Sequence, residues 1–80
     1  MNAVEVQSLI AAGLPGAQIQ VESDDDTHFI ARIVAPQFAG KRMIARHQLV
    51  YATLGAKMGR EIHALSIEAY SPEELQATQG

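Results

Sequence analysis

Residues 28–55, HFIARIVAPQFAGKRMIARHQLVYATLG, decide the fold, because within them the hydrophobic period changes once. From His28 to Ala35 the chain alternates: Phe29, Ala31, Ile33 and Ala35 fall on one face, and His28, Ile30, Arg32 and Val34 on the other. A period of two is the mark of a strand with one buried face. Pro36 lacks the N–H that a ladder needs and stops the strand, and Gly40 frees the backbone to turn. From Arg42 to about Lys57 the period lengthens, with Ile44, His47, Tyr51 and Leu54 spaced i, i+3, i+7 and i+10 as on one stripe of a helix. Strand, turn and main helix follow in that order.

The flanking sequence completes the set. Upstream, Ala3 to Ala12 carries Val4, Val6, Leu9 and Ile10 at helical spacing, with Asn2 as N-cap and GLPG as the stop. AQIQVES then alternates, Ile19 and Val21 against Gln18, Gln20 and Glu22, and predicts a half-buried strand. Between this strand and the next lies SDDDT, whose adjacent like charges repel in any regular element and suit a hairpin loop. Downstream, Gly55 and Gly59 loosen the end of the main helix, and EIHALSIEAY predicts a third strand with His63 at its start, on the side of Leu65, Ile67 and Ala69. In SPEEL, Ser71, Pro72 and Glu74 form a capping box that opens a terminal helix. The order helix, strand, strand, helix, strand, helix predicts an α+β fold with helices on one face of a three-stranded mixed sheet. The first two strands pair antiparallel, and a crossover through the main helix lays the third parallel to the second.

Length and composition bound the function. Eighty residues make one small domain with a compact core. The chain has no cysteine, so it forms no disulfide, offers no thiolate nucleophile, and cannot build a zinc or iron-sulfur site from its own sulfur. The N-terminus lacks the pattern of a signal peptide and no run approaches a membrane span, so a cytoplasmic location is expected. Net charge is -3, unevenly placed. Residues 1–40 sum to -4, whereas Lys41, Arg42, Arg46, Lys57 and Arg60 fall in a stretch, 41–60, without one acid.

Among constellations that carry chemistry, no nucleophile elbow, phosphate-binding glycine loop or helical histidine pair is present, and so small a fold predicts little room for a substrate cleft. Catalysis is therefore not expected. The DDD tract lacks the alternating acids, glycine and distal glutamate of an EF-hand and reads as a solvated loop tip. The basic segment could meet phosphates, but it comes without a GXXG clamp or stacking aromatics in the strands, and a solvated face or a protein contact suits it better than specific nucleic-acid binding. His47, on the stripe with Ile44 and Tyr51, reads as a half-buried histidine bonded to backbone or to a neighbour. His28 opens the second strand and is accessible. Chemistry alone leaves His63 two readings, a structural residue of the sheet or a ligand.

Three pieces of sequence then carry a likeness: FAGK (38–41) before the main helix, RHQLVY (46–51) within it, and IHALSI (62–67) with SPEE (71–74) after it. Together they resemble the BolA family over nearly the whole chain, from the first strand to Glu74, and the short acidic loop is similar to its IbaG (YrbA) branch. The resemblance implies one domain over residues 1–80, with a core of about 3–76, close to the class II KH-like arrangement. It implies a heterodimer with a monothiol glutaredoxin around a shared [2Fe-2S] cluster, ligated on one side by the glutaredoxin cysteine and a glutathione thiolate. His63 falls on the family's histidine ligand. Many members add a second histidine or cysteine from the first hairpin loop; SDDDT holds neither, and His28 at its exit stands nearest. An imidazole in place of a thiolate raises a cluster's potential, and because it must bind unprotonated, retention weakens as pH falls.

The resulting expectation is a non-catalytic adaptor in iron-sulfur trafficking or iron and redox sensing, monomeric or weakly dimeric when free. The alternative is a KH-like DNA-binding transcriptional regulator that uses the basic segment.

Overall fold

A computed structural model describes residues 1–79. Asn2 caps the first helix, α1 (Ala3–Gly13), its side-chain oxygen accepting the Glu5 N–H at 2.9 Å. That helix buries Val6 and Ile10. Val4, one of the apolar positions expected to pack, is 73% exposed, because the stripe that meets the sheet runs through Val6, Ile10 and Leu14 at intervals of four.

Strand β1 (Gln18–Glu22) pairs antiparallel with β2 (His28–Val34), with Gln20 opposite Arg32. The SDDDT loop between them turns at Asp26, which takes the left-handed φ of 58°. Alternation along β2 is kept in full: Phe29, Ala31 and Ile33 are buried while His28, Ile30 and Arg32 are exposed. A short 3-10 turn, Pro36–Phe38, follows and drives Phe38 wholly into the core. Gly40, at a φ of 74°, makes the bend into α2 (Met43–Leu54). After Gly55 and a second 3-10 turn, Gly55–Lys57, the chain reaches β3 (Ala64–Tyr70), parallel to β2 as the crossover requires. The sheet order is β1-β2-β3.

Helix α1 packs on β1 and α2, and α2 on β3, so both long helices lie over the face carrying Phe29, Ala31 and Ile33. Where they meet, Gly13 lets α1 approach closely: a Cβ there would stand 2.9 Å from Thr53 Cβ, inside any real contact. Terminal helix α3 (Pro72–Gln79) begins in the predicted capping box, with Glu74 Oε1 accepting the Ser71 N–H at 2.8 Å and Ser71 Oγ accepting the Glu74 N–H at 3.3 Å. On the uncovered face Arg32 bridges the outer strands, 3.2 Å from both Glu22 and Glu68.

The main helix departs from its expected stripe and length. It ends at Leu54, three residues short of Lys57, and of Ile44, His47, Tyr51 and Leu54 only Leu54 is buried. Ile44 is 70% exposed. The buried row is Arg46, Val50 and Leu54, at i, i+4 and i+8. Because a guanidinium occupies one core-facing position, hydrophobicity alone selects the adjacent stripe.

Candidate functional site

The parallel pairing of β2 and β3 brings the starts of both strands to one rim of the sheet, beside the SDDDT loop. His28 is the first residue of β2, and its register partner is Ala64, the first of β3. His63 therefore stands at the same rim, one strand spacing of roughly 5 Å from the residues that begin β2. Its N–H donates to Thr27 O at 3.0 Å, and the Ala64 N–H to the same oxygen at 3.3 Å.

His63 does not continue the inward side of β3 with Leu65, Ile67 and Ala69, as strict alternation predicts. It precedes the strand, in a bend, and is exposed. The cause is the tight turn before it. Gly59, at a φ of 83°, folds the chain back so that its N–H donates to Ile62 O at 2.9 Å, and Ile62 takes the buried position at 0% exposure. Ile62 and Leu65 both face inward, so the alternation slips by one residue between them and turns the imidazole out to solvent.

His28 is more fully tied. Its side chain is 68% exposed, and its Nδ1 lies 2.7 Å from Asp25 Oδ2 and 3.0 Å from Thr27 Oγ1. The other carboxylate oxygen, Oδ1, accepts the His28 N–H at 2.9 Å and the Thr27 N–H at 3.0 Å. These donors, the His28 amide foremost and then the Thr27 amide and the His28 ring, hold the Asp25 carboxyl far below the usual carboxylate range. The pairing of Asp25 with His28 was not among the expectations, although the sequence carries its signal, an aspartate three residues before a histidine in a turn. An open depression of about 380 Å³ on the uncovered face adjoins the rim, lined by Asp24, Asp25, His28, Ile30 and Ser66 among others. Room of that size exceeds what the short chain led us to expect. It opens on the sheet surface, with the acidic loop as one wall.

Among the described residues no group of three or more His, Cys, Asp or Glu side chains could hold a metal ion. The nitrogen donors at the rim are two imidazoles, beside the carboxylates of the loop and without a thiolate. Such a set does not hold an iron-sulfur cluster unaided, but it fits one side of a cluster whose sulfur ligands come from elsewhere, as two histidines replace two cysteines on one iron of a Rieske centre.

The basic candidates scatter. Arg46, expected at a nucleic-acid or partner surface, is buried at 5% exposure. Its Nε donates to Lys41 O at 2.9 Å, its Nη1 donates to Ala69 O at 3.1 Å and meets Glu74 Oε1 at 2.6 Å, and its guanidinium stacks over Phe38. Lys57 pairs with Glu61 at 3.6 Å, and Lys41, Arg42 and Arg60 are exposed. His47 is half-buried as expected, but its Nε2 has no hydrogen-bond partner among the described residues, and the ring instead meets Tyr51 edge-on at 6.5 Å.

Fold and rim together define a class: a small cysteine-free α+β domain that presents two imidazoles at one end of a mixed sheet. The chain belongs to the BolA family, whose model, described as BolA-like protein, matches residues 3–74. It is 41% identical over 56 residues to the DNA-binding transcriptional regulator BolA of Vibrio cholerae, covering 70% of this chain and 53% of that protein. It is 39% identical over 72 residues to SufE-like protein 1, chloroplastic/mitochondrial, of Arabidopsis thaliana, covering 90% of this chain and 19% of that protein. Among solved structures, a bolA protein homologue from Coxiella burnetii superposes with a TM-score of 0.84 at 35% identity, covering 95% of this chain and 97% of the other. This chain thus spans about half or less of both curated relatives, and nearly all of the Coxiella structure.

Proposed function

We propose that this chain is a non-catalytic adaptor of the IbaG-like branch that binds a monothiol glutaredoxin and shares a [2Fe-2S] cluster with it, in cluster trafficking or in iron and redox sensing in the cytoplasm. The observation that carries this reading is the placement of His28, the first residue of β2, and His63, the residue just before β3, at one rim of the sheet in a chain without thiolates. His63 and His28 supply two imidazole nitrogens, and the glutaredoxin cysteine and a glutathione thiolate supply the sulfur. A bound cluster contributes electron storage at a potential raised by the imidazoles. The chain's own residues orient the ligands: Thr27 O anchors the backbone at His63, and Ile62 holds its side chain out of the core. The short acidic loop, SDDDT, supports the IbaG-like branch.

The test is to mix the protein with holo monothiol glutaredoxin and record visible absorption and circular dichroism. Wild type changes both spectra and forms a one-to-one complex, while His63→Ala leaves the spectra those of the glutaredoxin alone. Identical spectra for wild type and His63→Ala would remove His63 from the site.

A DNA-binding reading has the likeness to the DNA-binding transcriptional regulator BolA of Vibrio cholerae in its favour. Burial of Arg46 takes away one of the five basic residues on which that reading rests, and Lys57 is spent on Glu61. The shared-cluster reading accounts for more of what the rim contains.

A further inference from the structure

We propose that Asp25 is a positioning residue that fixes the tautomer of His28, so that Nδ1 carries the proton and Nε2 is presented as the metal-binding nitrogen; this inference rests on the shared-cluster reading. An ionised carboxylate only accepts hydrogen bonds, so the proton in the 2.7 Å contact between Asp25 Oδ2 and His28 Nδ1 belongs to the ring nitrogen. A neutral imidazole with Nδ1 protonated has its lone pair on Nε2. Among the described residues no hydrogen bond engages that Nε2, and the side chain is 68% exposed.

The carboxylate is held in place as firmly as the ring. Oδ1 receives the N–H groups of Thr27 and His28, at 3.0 and 2.9 Å, which sets the distance between Asp25 and the start of β2. Ser23 closes the loop from the other side: its Oγ donates to His28 O at 2.7 Å and accepts the Asp26 N–H at 2.9 Å. Asp26 sits at a φ of 58°, so the turn brings Ser23, Asp25 and His28 together at the rim. Metal-binding histidines commonly give their second ring N–H to a carboxylate, which fixes tautomer and orientation and raises ligand basicity. Asp25 and His28 form that pair before any metal arrives. The SDDDT loop itself holds neither cysteine nor histidine, and the pre-oriented imidazole stands at its exit.

Asp25→Asn separates position from chemistry. The amide keeps a carbonyl oxygen for the two backbone N–H groups, but its NH2 donates to Nδ1 and so moves the ring proton to Nε2, the nitrogen a metal needs. Asp24→Asn removes the same charge next door and serves as control. Imidazole nitrogen-proton correlation spectra of the free protein, in mildly alkaline solution, read the tautomer directly. We expect Nδ1–H for His28 in wild type and Asp24→Asn, and Nε2–H in Asp25→Asn. In mixtures with holo monothiol glutaredoxin, Asp25→Asn and His28→Ala are expected to alter the circular dichroism alike and to shorten the lifetime of the shared cluster about tenfold or more, whereas Asp24→Asn matches wild type.

An Nε2–H tautomer in wild type overturns the inference without any cluster being present. An Asp25→Asn mixture indistinguishable from wild type, when His28→Ala differs, overturns the role of Asp25 and leaves the shared-cluster reading standing. Wild-type mixtures with the spectrum of glutaredoxin alone overturn that reading, and the inference with it.

Discussion

Ile62 and His63 are neighbours with opposite tasks, and the structure separates them by a single slip in alternation. Ile62 is fully buried among core residues, so Ile62→Ala is expected to lower stability by about 2–5 kcal/mol. In a domain of this size each 1 kcal/mol moves the melting temperature by about 4–8 °C. His63→Ala, at an exposed bend, is expected to change stability by less than about 0.5 kcal/mol while removing the spectral response to holo-glutaredoxin. Thermal unfolding of both variants checks the contrast. A His63→Ala protein destabilised as strongly as Ile62→Ala would mean that the imidazole serves the core. His63 was legible as a candidate from its motif; its exposure was not, because periodicity counts positions along a strand and the kink at Gly59 shifts where the strand begins.

At the scale of elements, Arg46 joins three segments at once. It ties α2 to the Lys41 carbonyl, to the end of β3 through Ala69 O, and to the first turn of α3 through Glu74. Glu74 also closes the capping box, and the Arg46 guanidinium first, then the Ser71 N–H, hold its carboxyl down from an ordinary value near 4.5 to about 2. A carboxyl depressed in the folded state stabilises fully above its unfolded pKa, and that contribution fades as pH falls through the folded value. Stability is therefore expected to decline between about pH 4.5 and 2. Glu74→Gln should be less stable than wild type at neutral pH and should lose less on acidification, as read from denaturant midpoints across that range. Asp25, also held low, leaves part of the acid sensitivity in place. A variant profile parallel to wild type would separate Glu74 from the acid response. The capping box was legible in SPEEL; its link to Arg46 was not, because the two residues stand 28 positions apart in the chain.

For the whole molecule, charge decides how much nucleic acid it can hold. Net charge is -3, and of the five basic residues between Lys41 and Arg60 only Lys41, Arg42 and Arg60 are exposed without an ion-pair partner among the described residues. Three phosphate contacts give a slope of log affinity against log salt of about -2.7 for duplex DNA. Binding to generic duplex, followed by fluorescence anisotropy at rising salt, is expected to be weak and to show a slope no steeper than that. A slope near -4.5 would require all five cations, Arg46 included, at the surface.

The sequence by itself determined the element order, the face each strand buries, both helix caps and the antiparallel-then-parallel sheet. Each of these rests on local chemistry: alternation, a missing N–H at Pro36, an oxygen at Asn2 or Ser71 placed to accept the first free amides. Tertiary structure alone decided which stripe of α2 is buried, that Arg46 belongs to the interior, and that His63 turns outward. It also brought His63, from the far side of the crossover, to the rim where Asp25 meets His28. The reason is the same in every case: these outcomes depend on partners distant in the chain or on a turn that shifts the register, and hydrophobic period carries no record of either.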